Sequence, residues 1–284
     1  MRTELVSIET DGRPLDGAFH EPEDGATRGA VLLFHGNTMN FYTGALRFLP
    51  PALTAMGYAC LAFNRRGRDI LGIRDSRAAE GAAFQLVAEA LEDNRAAARW
   101  LAGRGFAHPV VIGHSNGGTL AVRHVADHPQ TPALVLLSAH CGGTRMVPLA
   151  SKRGLLGADR LEALTAQARE RFAAGRGREL MLLPGWWYVA SAESFLDLQA
   201  NLPDVLALAP RIACPTLYLC GDEEPEDLYP AREFAQRAAG DVTVDIVPRC
   251  NHFYAGREDE VTARVSGWLD RALARGAPDL EAQT

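Results

Sequence analysis

Short runs of consecutive apolar residues recur along the chain, and each run ends in a polar or glycine-containing segment. Runs of this length without alternation are typical of strands that are buried on both faces of a parallel sheet. The predicted buried strands cover residues 30–34, 58–63, 110–114, 133–138, 215–220 and 242–247.

The first twenty residues follow a different pattern. Polar and apolar residues alternate over residues 4–9, and a turn at residues 11–14 leads to a second short segment at residues 15–20. This arrangement predicts an antiparallel hairpin at one edge of the sheet.

Apolar residues with helical spacing lie between the predicted strands. The predicted helices cover residues 44–56, 81–102, 116–128 and 229–239, and a last helix carries Val261, Val265, Trp268 and Ala272. Strands that alternate with helices in this way predict an α/β fold, with a mostly parallel central sheet flanked by helices.

The pattern changes between residues 141 and 211. This stretch has helical runs at 159–174 and 191–198, an aromatic cluster at Trp186, Trp187 and Tyr188, and no clear buried strand. We interpret it as a helical cap, or lid, inserted into a core formed by residues 1–140 and 212–276. The tail at residues 277–284 is expected to be frayed.

Residues 110–118 read Val-Val-Ile-Gly-His-Ser-Asn-Gly-Gly, so a predicted strand ends in a Gly-x-Ser-x-Gly motif with a helix behind it. A serine on such a sharp turn, called a nucleophile elbow, has its hydroxyl exposed at the end of the sheet. Ser115 is therefore the candidate nucleophile. The alternative is that the motif arose by chance in a glycine-rich loop.

Polar clusters follow several of the predicted strands at their carboxyl ends. They lie at His35, Asn64, Ser115, Glu224 and His252. Ligands of open α/β sheets bind at the carboxyl ends of the strands. We therefore expect these clusters to meet in one crevice.

A serine hydroxyl needs a base, normally a histidine held by a carboxylate. His252, in the loop after the last strand, is the candidate base, against the alternative of an ordinary loop histidine. The acid is expected in the preceding acidic loop, where Glu224 is favoured, with Asp222 next and Asp227 as a further alternative.

Acyl transfer also needs donors for the developing oxyanion. One candidate is the backbone N–H of Asn116, directly after the serine. The second candidate is the backbone N–H of Asn37, in the loop where Gly36 permits a close approach. A simple turn is the alternative for the His35-Gly36 pair.

The chain resembles the α/β-hydrolase superfamily over nearly its full length. The resemblance rests on His35-Gly36-Asn37, Asn64-Arg65-Arg66-Gly67, the motif at 113–118, Gly221-Asp222-Glu223-Glu224 and Asn251-His252-Phe253. It implies that Ser115 is the nucleophile of a serine esterase, that His252 is the base, and that the insertion after the sixth strand caps the pocket. Glutamate at the expected acid position departs from the commoner aspartate.

Composition limits the other classes of function. A chain of 284 residues with 47% hydrophobic and 23% charged residues is typical of a globular protein. A net charge of −6 argues against a general nucleic-acid binder. No signal peptide or membrane span is evident, so a cytoplasmic protein without a membrane partner is expected. The five cysteines have no spacing that suggests disulfides or zinc.

These features predict a serine hydrolase that acts on a small-molecule carboxylic ester, lactone or thioester without a metal or organic cofactor. Trp186, Trp187 and Tyr188 either line an apolar substrate pocket or pack the cap onto the core. Arg65 and Arg66 either bind a substrate carboxylate or have a structural role. Cleavage of an amide or a C–C bond by the same residues is an alternative, and a ligand receptor with little turnover is another. The oligomeric state is left open.

Overall fold

The computed structural model describes residues 1–74, 77–185 and 188–274. In these residues eight strands form a central sheet of order β1-β2-β4-β3-β5-β6-β9-β10. The strands are β1 (Arg2–Ile8), β2 (Leu15–Glu21), β3 (Gly29–Phe34), β4 (Tyr58–Phe63), β5 (Val110–His114), β6 (Leu134–Leu137), β9 (Thr216–Gly221) and β10 (Val242–Val247). β2 runs antiparallel to β1 and β4, and the other neighbouring pairs are parallel. The predicted mostly parallel sheet and its hairpin edge are confirmed.

Helices cover both faces of this sheet. Across the described residues the helices are α1 (Ala45–Ala55), α2 (Val87–Gly103), α3 (Asn116–Asp127), α4 (Met146–Lys152), α5 (Leu161–Ala173), α6 (Ala192–Asn201), α7 (Val205–Leu208), α8 (Ala231–Arg237) and α9 (Glu258–Ala274). α1 and α9 bury apolar residues against one face, and α2, α3 and α8 bury theirs against the other. Two apolar layers therefore hold the sheet between them, as the helix periodicity predicted.

The predicted single helix over residues 81–102 is wrong at its beginning. Residues Ala82–Phe84 form a short 3-10 helix, and the backbone is extended for two residues before α2 begins at Val87. The Asp197 carboxylate accepts a hydrogen bond of 2.6 Å from the Val87 N–H. This distant side chain satisfies an N–H group that opens the helix, so α2 starts there and not at the first residue with helical spacing.

A second, two-stranded sheet lies between β6 and β9, where the sequence indicated no clear strand. β7 (Leu180–Leu183) pairs antiparallel with β8 (Tyr188–Ser191). Along β7 exposed and buried residues alternate, with Leu182 exposed and Leu183 buried. Since all four residues of β7 are apolar, the sequence did not reveal this period of two, and the segment contains a strand pair in addition to the expected helices.

The segment assigned to a cap, residues 141–211, packs on the α2 and α3 side of the sheet. Phe195 of α6 and Tyr188 of β8 are buried in the same apolar cluster as Val87 of α2 and Val122 of α3. The expected frayed tail at residues 277–284 lies outside the described residues. Within the described part of the chain, no helix has the length and apolar character needed to cross a bilayer.

Candidate active site

Ser115 lies on the turn between β5 and α3, at backbone angles of φ 55° and ψ −122°. A Cβ atom at Gly117 would collide with the carbonyl oxygens of Phe34 and His35, and one at Gly113 would collide with the Gly117 carbonyl. Glycine at both positions is therefore required for β5 to turn directly into α3.

Three of the predicted site residues form one hydrogen-bonded chain. The Ser115 Oγ atom lies 2.9 Å from His252 Nε2, and His252 Nδ1 lies 2.6 Å from Glu224 Oε1. The side chain of Glu224 is only 3% exposed, whereas that of His252 is 23% exposed. β5, β9 and β10 deliver these residues from their carboxyl ends, which is why residues far apart in sequence meet here.

The other two carboxylates of the acidic loop have different partners. Asp222 accepts a hydrogen bond of 3.1 Å from the Cys250 N–H, and backbone hydrogen bonds from Arg249 and Cys250 lower the pKa of its carboxyl. Asp227 forms an ion pair of 2.6 Å with Arg153. Of the three candidates, it is Glu224 that contacts His252.

The second carboxylate oxygen of Glu224 has its own donors. Its Oε2 atom lies 2.5 Å from the Ser138 hydroxyl and 2.8 Å from the Gly221 N–H. The Ser138 Oγ atom also lies 2.6 Å from the Tyr254 hydroxyl. Sequence reasoning missed Ser138 and Tyr254, although Ser138 ends a predicted strand and so satisfied the rule that located the other site residues.

The two candidate oxyanion donors lie close to the serine. Asn37, Ser115 and Asn116 line one pocket. Among the residues that the structure describes, neither the Asn37 nor the Asn116 backbone N–H has a protein acceptor. Both N–H groups therefore remain free to donate to a ligand.

Buried side chains hold the turn that carries Asn37. His35 Nδ1 donates 2.7 Å to the Gly36 carbonyl, and His35 Nε2 accepts 3.1 Å from the Arg65 N–H. The Arg65 guanidinium also donates to the His35 carbonyl. Burial, with the positive charge of Arg65, holds the pKa of His35 well below its usual range. A neutral ring with Nε2 as acceptor agrees with this hydrogen bonding.

His114, the residue before the serine, supports the loop of the candidate base. Its Nε2 atom lies 2.9 Å from the His252 carbonyl oxygen, and the two imidazole centroids are 5.0 Å apart. Burial and the neighbouring His252 lower the pKa of His114 to about 3. The neutral ring therefore donates its Nε2–H in a hydrogen bond to the His252 carbonyl oxygen, which fixes the backbone there.

Of the three aromatic residues predicted for the pocket, Trp186 and Trp187 lie outside the described residues. Tyr188 is 6% exposed and lines a small cavity beside Asn37. Its hydroxyl donates a hydrogen bond of 3.0 Å to the Ala82 carbonyl. Burial raises the pKa of Tyr188 to about 12, although a hydrogen bond from the Asn37 side chain acts in the opposite direction. Tyr188 thus lines a cavity that shares Asn37 and Asn116 with the pocket of Ser115, and it connects the cap segment to the loop of Asn37.

The two arginines after β4 are engaged within the protein. The Arg65 side chain is fully buried, and the Arg66 guanidinium pairs with Asp93 at 2.6 Å. The Asp93 carboxylate also accepts 2.8 Å from the Arg66 N–H. These contacts fit the structural role that the sequence left open. In residues 1–74, 77–185 and 188–274, no group of three or more potential ligands is placed to hold a metal ion.

Comparisons with known proteins agree with this architecture. A model of the alpha/beta hydrolase family matches residues 31–265. No curated protein matches the chain in sequence.

Several solved structures share the fold. Est1E from Butyrivibrio proteoclasticus, solved with ferulic acid bound, is 18% identical with a TM-score of 0.70, and the alignment covers 95% of this chain and 99% of that one. A thermostable carboxyl esterase from Bacillus coagulans is 15% identical with a TM-score of 0.71, covering 96% and 99%. Proline iminopeptidase from Mycobacterium smegmatis is 15% identical with a TM-score of 0.61, covering 96% and 100%.

Proposed function

This chain belongs to the alpha/beta hydrolase family, and on that premise we propose that it is a serine hydrolase that cleaves a carboxylic ester, lactone or thioester. The observation that carries the proposal is the continuous chain of hydrogen bonds from Glu224 through His252 to Ser115, of 2.6 and 2.9 Å.

In the proposed reaction, Ser115 Oγ attacks the carbonyl carbon of the substrate while His252 Nε2 takes the hydroxyl proton. Glu224 accepts the proton on His252 Nδ1 in a hydrogen bond, which holds the correct tautomer and stabilises the imidazolium as it forms. His252 then protonates the leaving alcohol or thiol, and an acyl group remains on Ser115. Water, deprotonated by His252, releases that acyl group as the carboxylic acid.

The developing negative charge on the carbonyl oxygen needs donors that are already in place. We assign this role to the backbone N–H groups of Asn37 and Asn116. Because both border the pocket beside Ser115 and lack protein acceptors in the described part of the chain, an oxyanion placed there displaces no internal hydrogen bond.

Residues 141–211 are proposed to act as the cap over this site. Met146, Leu156 and Leu198 from this segment line the pocket of Ser115. Apolar walls around a few polar groups are typical of small-molecule sites, and they favour an acyl group with some apolar character.

The choice of an ester over an amide is supported by analogy with two of the structural neighbours. One neighbour is named as a carboxyl esterase, and another holds ferulic acid. A peptidase shares the same fold, so the fold alone does not select the bond. The bond therefore has to be established with matched substrates.

The proposal is tested by labelling with a fluorophosphonate, which reacts with activated serines, followed by measurement of the intact mass. One adduct is expected on the wild type and none on Ser115→Ala. Ser194→Ala is the matched control, because Ser194 borders the neighbouring cavity and its hydroxyl donates to the Gln85 carbonyl. A panel of ester, lactone, thioester and anilide substrates then identifies the bond.

Absence of an adduct on wild-type protein with native circular dichroism would contradict the proposal. In that case ligand-dependent thermal stabilisation without turnover would favour the receptor alternative. Fast turnover of the anilide and not of the ester would instead favour an amidase.

A further inference from the structure

Two polar side chains that the proposed reaction does not use line the pocket of Ser115. His140 follows β6, and Tyr229 lies in the loop after β9. The Cys141 N–H donates 2.8 Å to the Leu228 carbonyl, so the backbone segments that carry the two side chains lie side by side. The Tyr229 ring packs 5.2 Å from the His252 ring, which places it directly beside the proposed base.

The hydrogen bonds of His140 determine which ring nitrogen carries the proton. Its Nδ1 atom accepts 3.2 Å from the Gly142 N–H, while the Thr119 hydroxyl donates 2.9 Å to the His140 carbonyl. A nitrogen that accepts from an N–H group carries no proton, so a neutral ring is protonated at Nε2. Burial and the neighbouring His252 lower the pKa of His140 to about 3, so the ring is neutral at physiological pH.

The Nε2–H group of His140 and the hydroxyl of Tyr229 belong to residues that line the pocket of Ser115. Within the part of the chain that the structure describes, neither atom has a hydrogen-bond partner, and neither is among the fully buried unpaired atoms. Burial, reinforced by the negative charge of Glu224, raises the pKa of Tyr229, so the hydroxyl keeps its proton. Both groups are thus neutral donors without a protein acceptor.

The surroundings restrict what these donors can bind. Met146, Leu156, Leu198 and Leu228 form apolar walls, and no arginine or lysine is among the described residues that line this pocket. A carboxylate placed here would lose its hydration without gaining a cation, which is costly. An uncharged oxygen can accept hydrogen bonds from these donors at a smaller desolvation cost.

We infer that His140 and Tyr229 form a recognition subsite for an uncharged oxygen acceptor, such as an ether, ketone or hydroxyl oxygen, on the substrate that Ser115 attacks. This inference rests on the proposed serine hydrolase function and adds the class of substrate to it. A substrate with such an oxygen satisfies both donors, whereas an all-carbon analogue leaves them unpaired in an apolar pocket. Sites built to hydrogen-bond a substrate discriminate strongly against the analogue that lacks the polar group.

The test uses pairs of neutral p-nitrophenyl esters that differ by one oxygen. Methoxyacetate is compared with butanoate, and 3-methoxypropanoate with pentanoate, so that each pair has the same chain length. The measured quantity is the ratio of kcat/KM for the oxygen-containing ester to kcat/KM for its carbon analogue. Comparing this ratio between wild type and variants cancels the difference in intrinsic reactivity of the two esters.

Three substitutions separate the pocket donor from the structural role of His140. His140→Asn retains an acceptor for the Gly142 N–H, but its amide is too short to reach the position of Nε2. His140→Gln extends an amide N–H to about that position. Tyr229→Phe removes one hydroxyl and keeps the ring against His252. Unfolding curves for each variant verify that it is folded.

For the pair whose oxygen reaches the subsite, we expect the ratio to fall about 10-fold in His140→Asn and about 10-fold in Tyr229→Phe. His140→Gln should retain more of the wild-type ratio than His140→Asn. Ratios in folded His140→Asn and Tyr229→Phe that stay within two-fold of wild type for both pairs would overturn the inference while leaving the hydrolase proposal intact. Absence of both ester turnover and a fluorophosphonate adduct on the wild type would overturn the two together.

Discussion

The Ser138 hydroxyl lies 2.5 Å from the oxygen of Glu224 that does not contact His252. Ser138 comes from the end of β6 and Glu224 from the loop after the neighbouring strand β9, so two adjacent strands cooperate to hold one carboxylate. The Gly221 N–H donates to the same oxygen, so two donors hold Oε2 and Oε1 is left for the imidazole. A carboxylate held in this way presents one oxygen to the imidazole in a single orientation.

Glu224→Gln tests whether this carboxylate serves the base. The amide keeps the size of the side chain, but it has only one oxygen that can accept the hydrogen bond from His252 Nδ1, and it carries no negative charge to stabilise the imidazolium. We therefore expect kcat to fall by about 10³-fold to 10⁴-fold. Asp222→Asn is the matched control, because Asp222 contacts the Cys250 N–H instead. Steady-state kinetics with an activated ester measures both. A larger loss in Asp222→Asn would contradict the assignment of Glu224.

Ser138→Ala should loosen the hold on the Glu224 carboxylate without removing the carboxylate itself. Loss of a donor to a charged carboxylate costs about 1.5–3 kcal/mol where the bond is fully formed, so we expect kcat to fall about 10-fold or more. Tyr254→Phe, which leaves Ser138 in place, should have the smaller effect. A wild-type kcat in folded Ser138→Ala would argue that the serine only fills space.

The sequence predicted the parts of the site that follow from local pattern. Ser115 is identified by the glycines that flank it, and His252 and Glu224 by their positions directly after apolar runs. Because parallel strands share an edge, position along the chain was enough to place these residues together before any distance was known. The sequence favoured Glu224 by its distance from Gly221 but left Asp222 and Asp227 open, because all three carboxylates lie in one short loop. Which of them faces His252 is seen only in the fold.

Features that depend on contacts between distant segments could not be predicted. Ser138 and Tyr254 are 116 residues apart and meet through packing that no local periodicity encodes. The start of α2 depends on Asp197, which is 110 residues away from Val87. The strand β7 was missed because all its residues are apolar, so the alternation of its two faces appears only in the folded chain.

Tyr188→Phe tests the connection between the cap segment and the loop of Asn37. Removing the hydroxyl leaves the buried Ala82 carbonyl without this donor and frees the Asn37 side chain, so the free energy of unfolding should fall by about 1–2 kcal/mol. If Asn37 supplies an oxyanion donor, Tyr188→Phe should lower kcat by a larger factor than it changes KM, because the donor acts in the transition state. Urea unfolding and ester kinetics measure the two effects, with the exposed Tyr42→Phe as control. A wild-type kcat in Tyr188→Phe would show that the Asn37 N–H is held by other contacts.

Buried neutral histidines should make the fold sensitive to mild acid. Burial lowers the pKa of His114, His124 and His140 from 6.5 to about 3, with the neighbouring His252 adding to the shift at His114 and His140, and His128 at His124. Below about pH 6.5 the unfolded chain binds protons at these positions while the folded chain does not, so stability falls as the pH decreases from 6.5 toward 3. The loss approaches about 1.4 kcal/mol per pH unit for each of these histidines, and His35, whose pKa burial and Arg65 also hold well below its usual range, adds to it.

The measurement is the urea midpoint and slope at intervals from pH 7 to pH 5, a window above the usual pKa range of carboxyl groups. His124→Leu removes one of these buried histidines at a position away from Ser115, and His108→Leu removes an exposed one. The stability of His124→Leu should depend less steeply on pH than that of His108→Leu, by about one proton. Equal slopes would mean that His124 takes up a proton in the folded state, which would require the packing around its ring to admit a charge or water.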